Sequence, residues 1–130
     1  IEIMQSKQHD YILSITSHIP HLIAYNIVRT VLEFDEQKGS IIKFSAGGLR
    51  DFTRIASSDP IMWRDIFLDN RDEIINILDK YIDNLNSFKS EISRGQGDKL
   101  KRIFEGTKKL RKEILDAGQD VSKPDFGRKI

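Results

Sequence analysis

The stretch Gln8–Phe34, QHDYILSITSHIPHLIAYNIVRTVLEF, decides the fold class. Its apolar residues Tyr11, Ile12, Ile15, Ile19, Leu22, Ile23, Ile27, Val31 and Leu32 recur at spacings of three and four. That is the period of one helix face, not the alternation of a strand. Pro20 falls inside the pattern. An interior proline removes a backbone donor and crowds the turn before it, so the spacing predicts a kink near Ser17 or two helices meeting there, with backbone exposed beside His18 and His21.

Outward from this segment the chain continues as helices. The run Asp35–Gly48, DEQKGSIIKFSAGG, reads as a connection from its glycines and charges. Ala46–Trp63, AGGLRDFTRIASSDPIMW, then carries a helical pattern that Asp59-Pro60 splits into two short helices, with Pro60 in the first turn of the second and Ser58 or Asp59 as its cap. From Asn70 to Arg94, the residues Ile74, Leu78, Tyr81, Leu85, Phe88 and Ile92 alternate by four and three, a coiled-coil-like seam that Ile75 and Ile82 widen. Such a stripe suits a bundle and a second subunit. Gly95-Gln96-Gly97 ends this helix, and Asp98 can cap the next, whose apolar face (Leu100, Ile103, Phe104, Leu110, Ile114, Leu115) runs until Ala117-Gly118. No convincing strand, internal repeat or low-complexity tract appears. The expected architecture is all-α, a helical domain over residues 1–118 followed by a polar tail over 119–130.

Composition bounds the function. A chain of 130 residues suits one domain, too small to hold a nucleotide-binding domain and a substrate domain together. Its 20 acidic and 21 basic residues nearly balance, so no global field marks a nucleic-acid or membrane protein. The absence of cysteine excludes disulfides and thiolate chemistry and fits a reducing compartment, with the cytoplasm as the default location. Apolar runs are short and the opening IEIMQSKQHD lacks a basic start and apolar core, so neither a membrane span nor a signal peptide is expected. So abrupt an opening reads as a cut from a longer chain.

Three groups of residues carry possible chemistry. His9, His18 and His21 lie within thirteen residues, but HD…HxxH lacks a recognised zinc spacing and Pro20 interrupts the pair. Interior or capping roles are the simpler reading for His9 and His18, and a ligand contact suits His21 better. Gly47 and Gly48 allow close backbone approach and φ > 0 where a helix should begin, and free amides there can hold an anion. Asp51 stands three residues before Arg54, so one carboxylate can orient one guanidinium; the plain alternative is a solvated surface pair. Glycines, an oriented arginine and nearby Trp63 together point to half of a site for a small anionic substrate. The basic cluster Lys99, Lys101, Arg102, Lys108, Lys109, Arg111 and Lys112 lacks interleaved aromatics and reads as a solvated helix face before a nucleic-acid site.

The motifs HDYILSITSHIPH (His9–His21) and GGLRDFTRIASSDPIMWRD (Gly47–Asp65), in that order, resemble the C-terminal helical domain of prephenate and arogenate dehydrogenases. The end AGQDVSKPDFGR is similar to the tail of the cyclohexadienyl dehydrogenases. Leu49 stands where phenylalanine is commoner and Ile19 where leucine is common, both apolar exchanges. The resemblance implies a helical dimerisation domain of the 6-phosphogluconate dehydrogenase C-terminal-like type. It further implies NAD(P)-dependent oxidative decarboxylation in tyrosine biosynthesis, in which C4 of the cyclohexadienol gives a hydride to nicotinamide while the ring carboxylate leaves as carbon dioxide.

Matched residue by residue, Arg54 takes the substrate-carboxylate role and Asp51 orients it. His21 contacts the substrate, Gly47 lets the backbone approach it, and Trp63 reaches the active site of a neighbouring subunit in a homodimer. No catalytic residue is assigned to this segment. The family's Rossmann domain, which holds the cofactor and supplies a catalytic histidine, has no counterpart here: there is no GxGxxG and no alternation of strands and helices. The chain alone is therefore expected to bind no NAD or NADP and to be inactive. Prephenate and arogenate differ only in a side-chain keto or amino group, so both stay open as substrates. Two other classes stay open as well, a purely structural dimerisation module and a helical nucleic-acid binder using Lys99–Lys112.

Overall fold

The computed structural model describes residues 6–34 and 47–119. Most of the connection read over Asp35–Gly48 and most of the cyclohexadienyl-type tail lie outside them. The described residues are almost entirely helical, with no strand among them. The all-α expectation therefore holds for these residues. They divide into two compact units, Ile1–Ile82 and Asp83–Ile130.

In the first unit, α1 (Ser6–Leu13) runs through a π-helical turn (Ser14–His18) into α2 (Ile19–Glu33). The sequence pattern predicted a kink or two helices meeting near Ser17. Two helices, α1 and α2, do meet there, joined by a π turn whose flanking backbone at Leu13, His18 and Ile19 stays right-handed helical. The Ile19 N–H bonds the Ser14 carbonyl, five residues back, which inserts one wide turn just before the donorless Pro20 in the first turn of α2. The widened turn lets the helix pass the proline without breaking. Ser14 at its start is fully buried, and its hydroxyl donates to the Tyr11 carbonyl at 2.6 Å.

The short α3 (Gly47–Thr53) tightens into a 3-10 turn (Arg54–Ser57), and α4 (Pro60–Asp69) follows. Asp59 is the cap of α4, its carboxylate accepting from the Ile61 N–H at 3.0 Å, with Pro60 in the first turn as expected. The 3-10 turn packs on α2, and the Tyr25 hydroxyl donates to the Ser58 carbonyl at 2.8 Å, pinning the entry to α4. Asn70 joins α4 to α5 (Arg71–Ser93): its N–H bonds the Ile66 carbonyl, and its own carbonyl accepts from Ile74. Ile19, Ala24, Trp63 and Ile74 form the buried apolar core of this unit.

The second unit takes up the end of α5 and α6 (Gly97–Gln119). Helix α5 closes with a Schellman motif. Gly95 adopts φ 66°, its N–H reaches the Ile92 carbonyl, and the Gln96 N–H reaches the Glu91 carbonyl. Asp98 does not cap α6 as the sequence predicted. Gln96 accepts the first helical bond, from Leu100, and Asp98 sits inside the first turn, where its charge still favours the helix N-terminus. The helix is described to Gln119, one residue past the Ala117-Gly118 stop read from the sequence. Phe88 and Phe104 stack with centroids 5.8 Å apart, and buried Glu91 accepts from Ser87 at 3.1 Å and from Lys99 at 3.3 Å.

Candidate functional site around His21 and Trp63

Two of the residues singled out in the sequence, 42 positions apart, meet in the core of the first unit. The His21 imidazole stacks on the Trp63 indole with centroids 3.9 Å apart and planes 22° from parallel. His18, one turn earlier, meets the same indole edge-on at 6.0 Å, and Phe67 closes a third side at 5.5 Å. Trp63 is 6% exposed, and its Nε1–H is buried without an acceptor. The indole is thus packed within its own chain. Reaching a neighbouring subunit, the role the resemblance implies for it, requires it to act from this packed position or to leave it.

The hydrogen bonds assign protons on both imidazoles. His21 Nδ1 lies 2.8 Å from the Ser17 carbonyl. A carbonyl only accepts, so Nδ1 carries the proton, and in the neutral ring Nε2 holds the lone pair. His18 Nδ1 lies 3.3 Å from Asn70 Nδ2, which also donates to the Asp10 carbonyl at 3.0 Å. Because Asn70 is the donor there, neutral His18 accepts at Nδ1 and carries its proton on Nε2. Burial, then the neighbouring His21 and His9, lower the His18 pKa below 6.5, with Asp10 opposing them. His18 is therefore neutral at pH 7.

The remaining sequence candidates lie on the surface. Asp51 and Arg54 are both exposed and form no ion pair with each other. The pairing expected from their spacing is not made because the α-helix gives way at Thr53 (φ −92°, ψ 1°) to the 3-10 turn that begins with Arg54. Gly47 and Gly48 open α3, and neither takes the positive φ that their sequence allowed; among the described residues only Gly95 does. A methyl group at either would meet nothing within 4 Å among the described residues. Helix α3 has only seven residues, so few peptide dipoles align behind its N-terminus.

His9 sits on an exposed surface 3.7 Å from Asp10. Among the described residues no three His, Cys, Asp or Glu side chains gather to hold a metal ion. There is no strand among the described residues, and so no glycine-rich strand-to-helix turn of the kind that holds a dinucleotide in a Rossmann domain. No helix among the described residues is long and apolar enough to cross a membrane. Of the basic cluster on α6, Lys99 is tied to Glu91 and the others are exposed.

Asn70 and Tyr25 escaped the sequence reading. Their partners lie 52–60 and 33 positions away, and no local pattern marks them.

Comparison with known proteins places these features in a family. The model of the prephenate dehydrogenase dimerization domain matches residues 5–106. A cyclohexadienyl dehydrogenase of Zymomonas mobilis is 37% identical over 112 residues, covering 85% of this chain and 38% of that protein. A prephenate dehydrogenase of Bacillus subtilis is 36% identical over 83% of this chain and 29% of its own length. Among solved structures, prephenate dehydrogenase from A. aeolicus in complex with hydroxyphenyl propionate and NAD+ superposes with a TM-score of 0.81 at 38% identity, over 87% of this chain and 40% of that one. Synechocystis arogenate dehydrogenase, at 19% identity and a TM-score of 0.81, shares the fold. The chain thus spans well under half the length of these relatives. It belongs to the prephenate dehydrogenase dimerization-domain family.

Proposed function

We propose that this chain is the helical, dimerising and substrate-binding part of a cytoplasmic prephenate or arogenate dehydrogenase, serving NAD(P)-dependent oxidative decarboxylation in tyrosine biosynthesis. The observation that carries the reading is the 38% identity and TM-score of 0.81 to an enzyme solved with NAD+ and an aromatic acid, hydroxyphenyl propionate. The cofactor and the groups that act on the reacting carbon belong to a domain outside this chain. What these residues supply is binding, orientation and assembly.

Arg54, exposed and unpaired with Asp51, is free to take a substrate carboxylate through its planar fork. Asp51 swings in to orient it once ligand is bound, and Gly47, with open space around its Cα, lets the backbone approach closely. His21 meets the ligand through Nε2, its ring held flat by Trp63. Trp63 joins this site to that of a second subunit.

A specific observation favours the homodimer. On α5, Ile75, Ile82, Leu85 and Ile92 are 45–65% exposed, and on α6 Phe104, Leu110, Ile114 and Leu115 are 46–57% exposed. That much apolar surface is unusual on a stable monomer, and the matched family model describes a dimerization domain. The test is turnover by the full-length enzyme given prephenate or arogenate with NAD or NADP, read as reduced nicotinamide. Formation of reduced cofactor with either substrate upholds the proposal. Absence of turnover with every combination leaves a structural dimerisation module.

A further inference from the structure

We propose that the site reads its ligand through two imidazoles locked in opposite tautomers, His18 donating and His21 accepting at Nε2, with Asn70 and the Ser17 carbonyl as the groups that set them. The ligand class it fits carries an acceptor oxygen, of a carbonyl or carboxylate, beside a hydroxyl or ammonium donor. That the ligand is the substrate rests on the function proposed above; the tautomers themselves do not.

The two rings stand three residues apart and converge on one indole, His21 against its face and His18 against its edge. Each spends Nδ1 on a fixed partner within the protein, at 3.3 and 2.8 Å. Among the described residues neither Nε2 has a partner, and neither is among the buried polar atoms left without one. Two partly buried rings, each with one nitrogen unpartnered among the described residues, lie against one indole whose own buried N–H lacks an acceptor, so unspent polar groups gather around Trp63.

The lock has a local origin. Pro20 gives no N–H, so the carbonyl four or five residues before it, of Thr16 or Ile15, loses a helical donor, and beside that gap the His21 side chain donates to the Ser17 carbonyl. His18 ends that same turn, and the widened backbone carries its ring to Asn70, at the junction of α4 and α5. Asn70 in turn is held by Asp10 in α1, so three separate segments determine one proton position. Asn70 touches no ligand in this scheme and is a positioning residue.

The experiment uses the full-length enzyme with selectively ¹⁵N-labelled histidine, each resonance assigned by substitution. At a pH where both rings are neutral, proton-coupled nitrogen spectra should show His18 protonated at Nε2 and His21 at Nδ1. The same tautomer on both rings overturns the inference. In steady-state assays with prephenate and NAD, His18→Ala and Asn70→Leu should each raise KM about tenfold with kcat little changed, the loss of about one oriented hydrogen bond. His18→Gln, whose amide can donate near the Nε2 position, should recover most of that loss. An unchanged KM in both His18→Ala and Asn70→Leu refutes the reading role even if the tautomers are as stated. Should the enzyme turn over neither prephenate nor arogenate, the proposed function fails separately. The labelled enzyme is then titrated with hydroxyphenyl propionate, and a shift at both Nε2 atoms supports the inference while no shift at either overturns it.

Discussion

Arg54→Gln in the full-length enzyme separates binding from folding, because the structure gives the guanidinium no stabilising role. Arg54 is exposed on the 3-10 turn and forms no side-chain hydrogen bond or ion pair among the described residues. Surface substitutions of that kind shift stability by no more than about 0.5 kcal/mol. If the side chain instead holds a substrate carboxylate, its removal costs a charge-assisted hydrogen bond worth about 1.5–3 kcal/mol, which at 1.36 kcal/mol per decade is about 10- to 150-fold. The contact exists in the bound ground state as well as the transition state, so the loss belongs in KM and kcat stays nearly constant. Initial rates over a range of prephenate concentrations, with thermal unfolding of the same samples, read both quantities. A loss confined to kcat refutes the carboxylate assignment, and a large drop in melting temperature refutes the view of Arg54 as structurally idle.

Other expectations follow from the same geometry. The His18 pKa is lowered in the folded state, chiefly by burial and next by His21, so the unfolded chain binds more protons below its ordinary pKa of 6.5. Stability is then full above pH 6.5 and falls as pH drops below it, and urea titrations of wild type and His18→Gln at neutral and mildly acidic pH should show a smaller acid loss in the variant. Leu85 is 49% exposed, so about half of a leucine's burial, roughly 1 kcal/mol per copy, is available to a dimer. Leu85→Glu should weaken self-association at least tenfold by light scattering across a dilution series, and an unchanged dimer would move the interface elsewhere. Gly95→Ala places a Cβ at φ 66° and should destabilise the fold by about 1–2 kcal/mol in denaturant unfolding, though nothing crowds the position. A neutral result would mean that the Schellman turn is not retained in solution.

Helix existence was written into local spacing. The three-and-four period from Tyr11 to Val31, the Asp59-Pro60 cap and the Gly95 stop all depend on neighbours within a turn or two, and each appears where the residues predicted it. Family membership was equally local, carried by two motifs read in order. What the pattern around Pro20 left undecided was how a helix meets a missing donor. A π turn resolves it, and that choice depends on burying Ser14 and Ile19 while presenting two rings to Trp63.

Tertiary structure alone decided which candidate residues meet. His21 and Trp63 stack across 42 positions, and Asn70 reaches back to both Asp10 and His18. Asp51 and Arg54, three apart and apparently paired, are separated by a change of helix type. Periodicity reports the face on which a side chain lies, because backbone geometry repeats. It carries no record of which distant face packs there, nor of which ring nitrogen the packing leaves free, and those are set by the meeting of α1, α2 and α4.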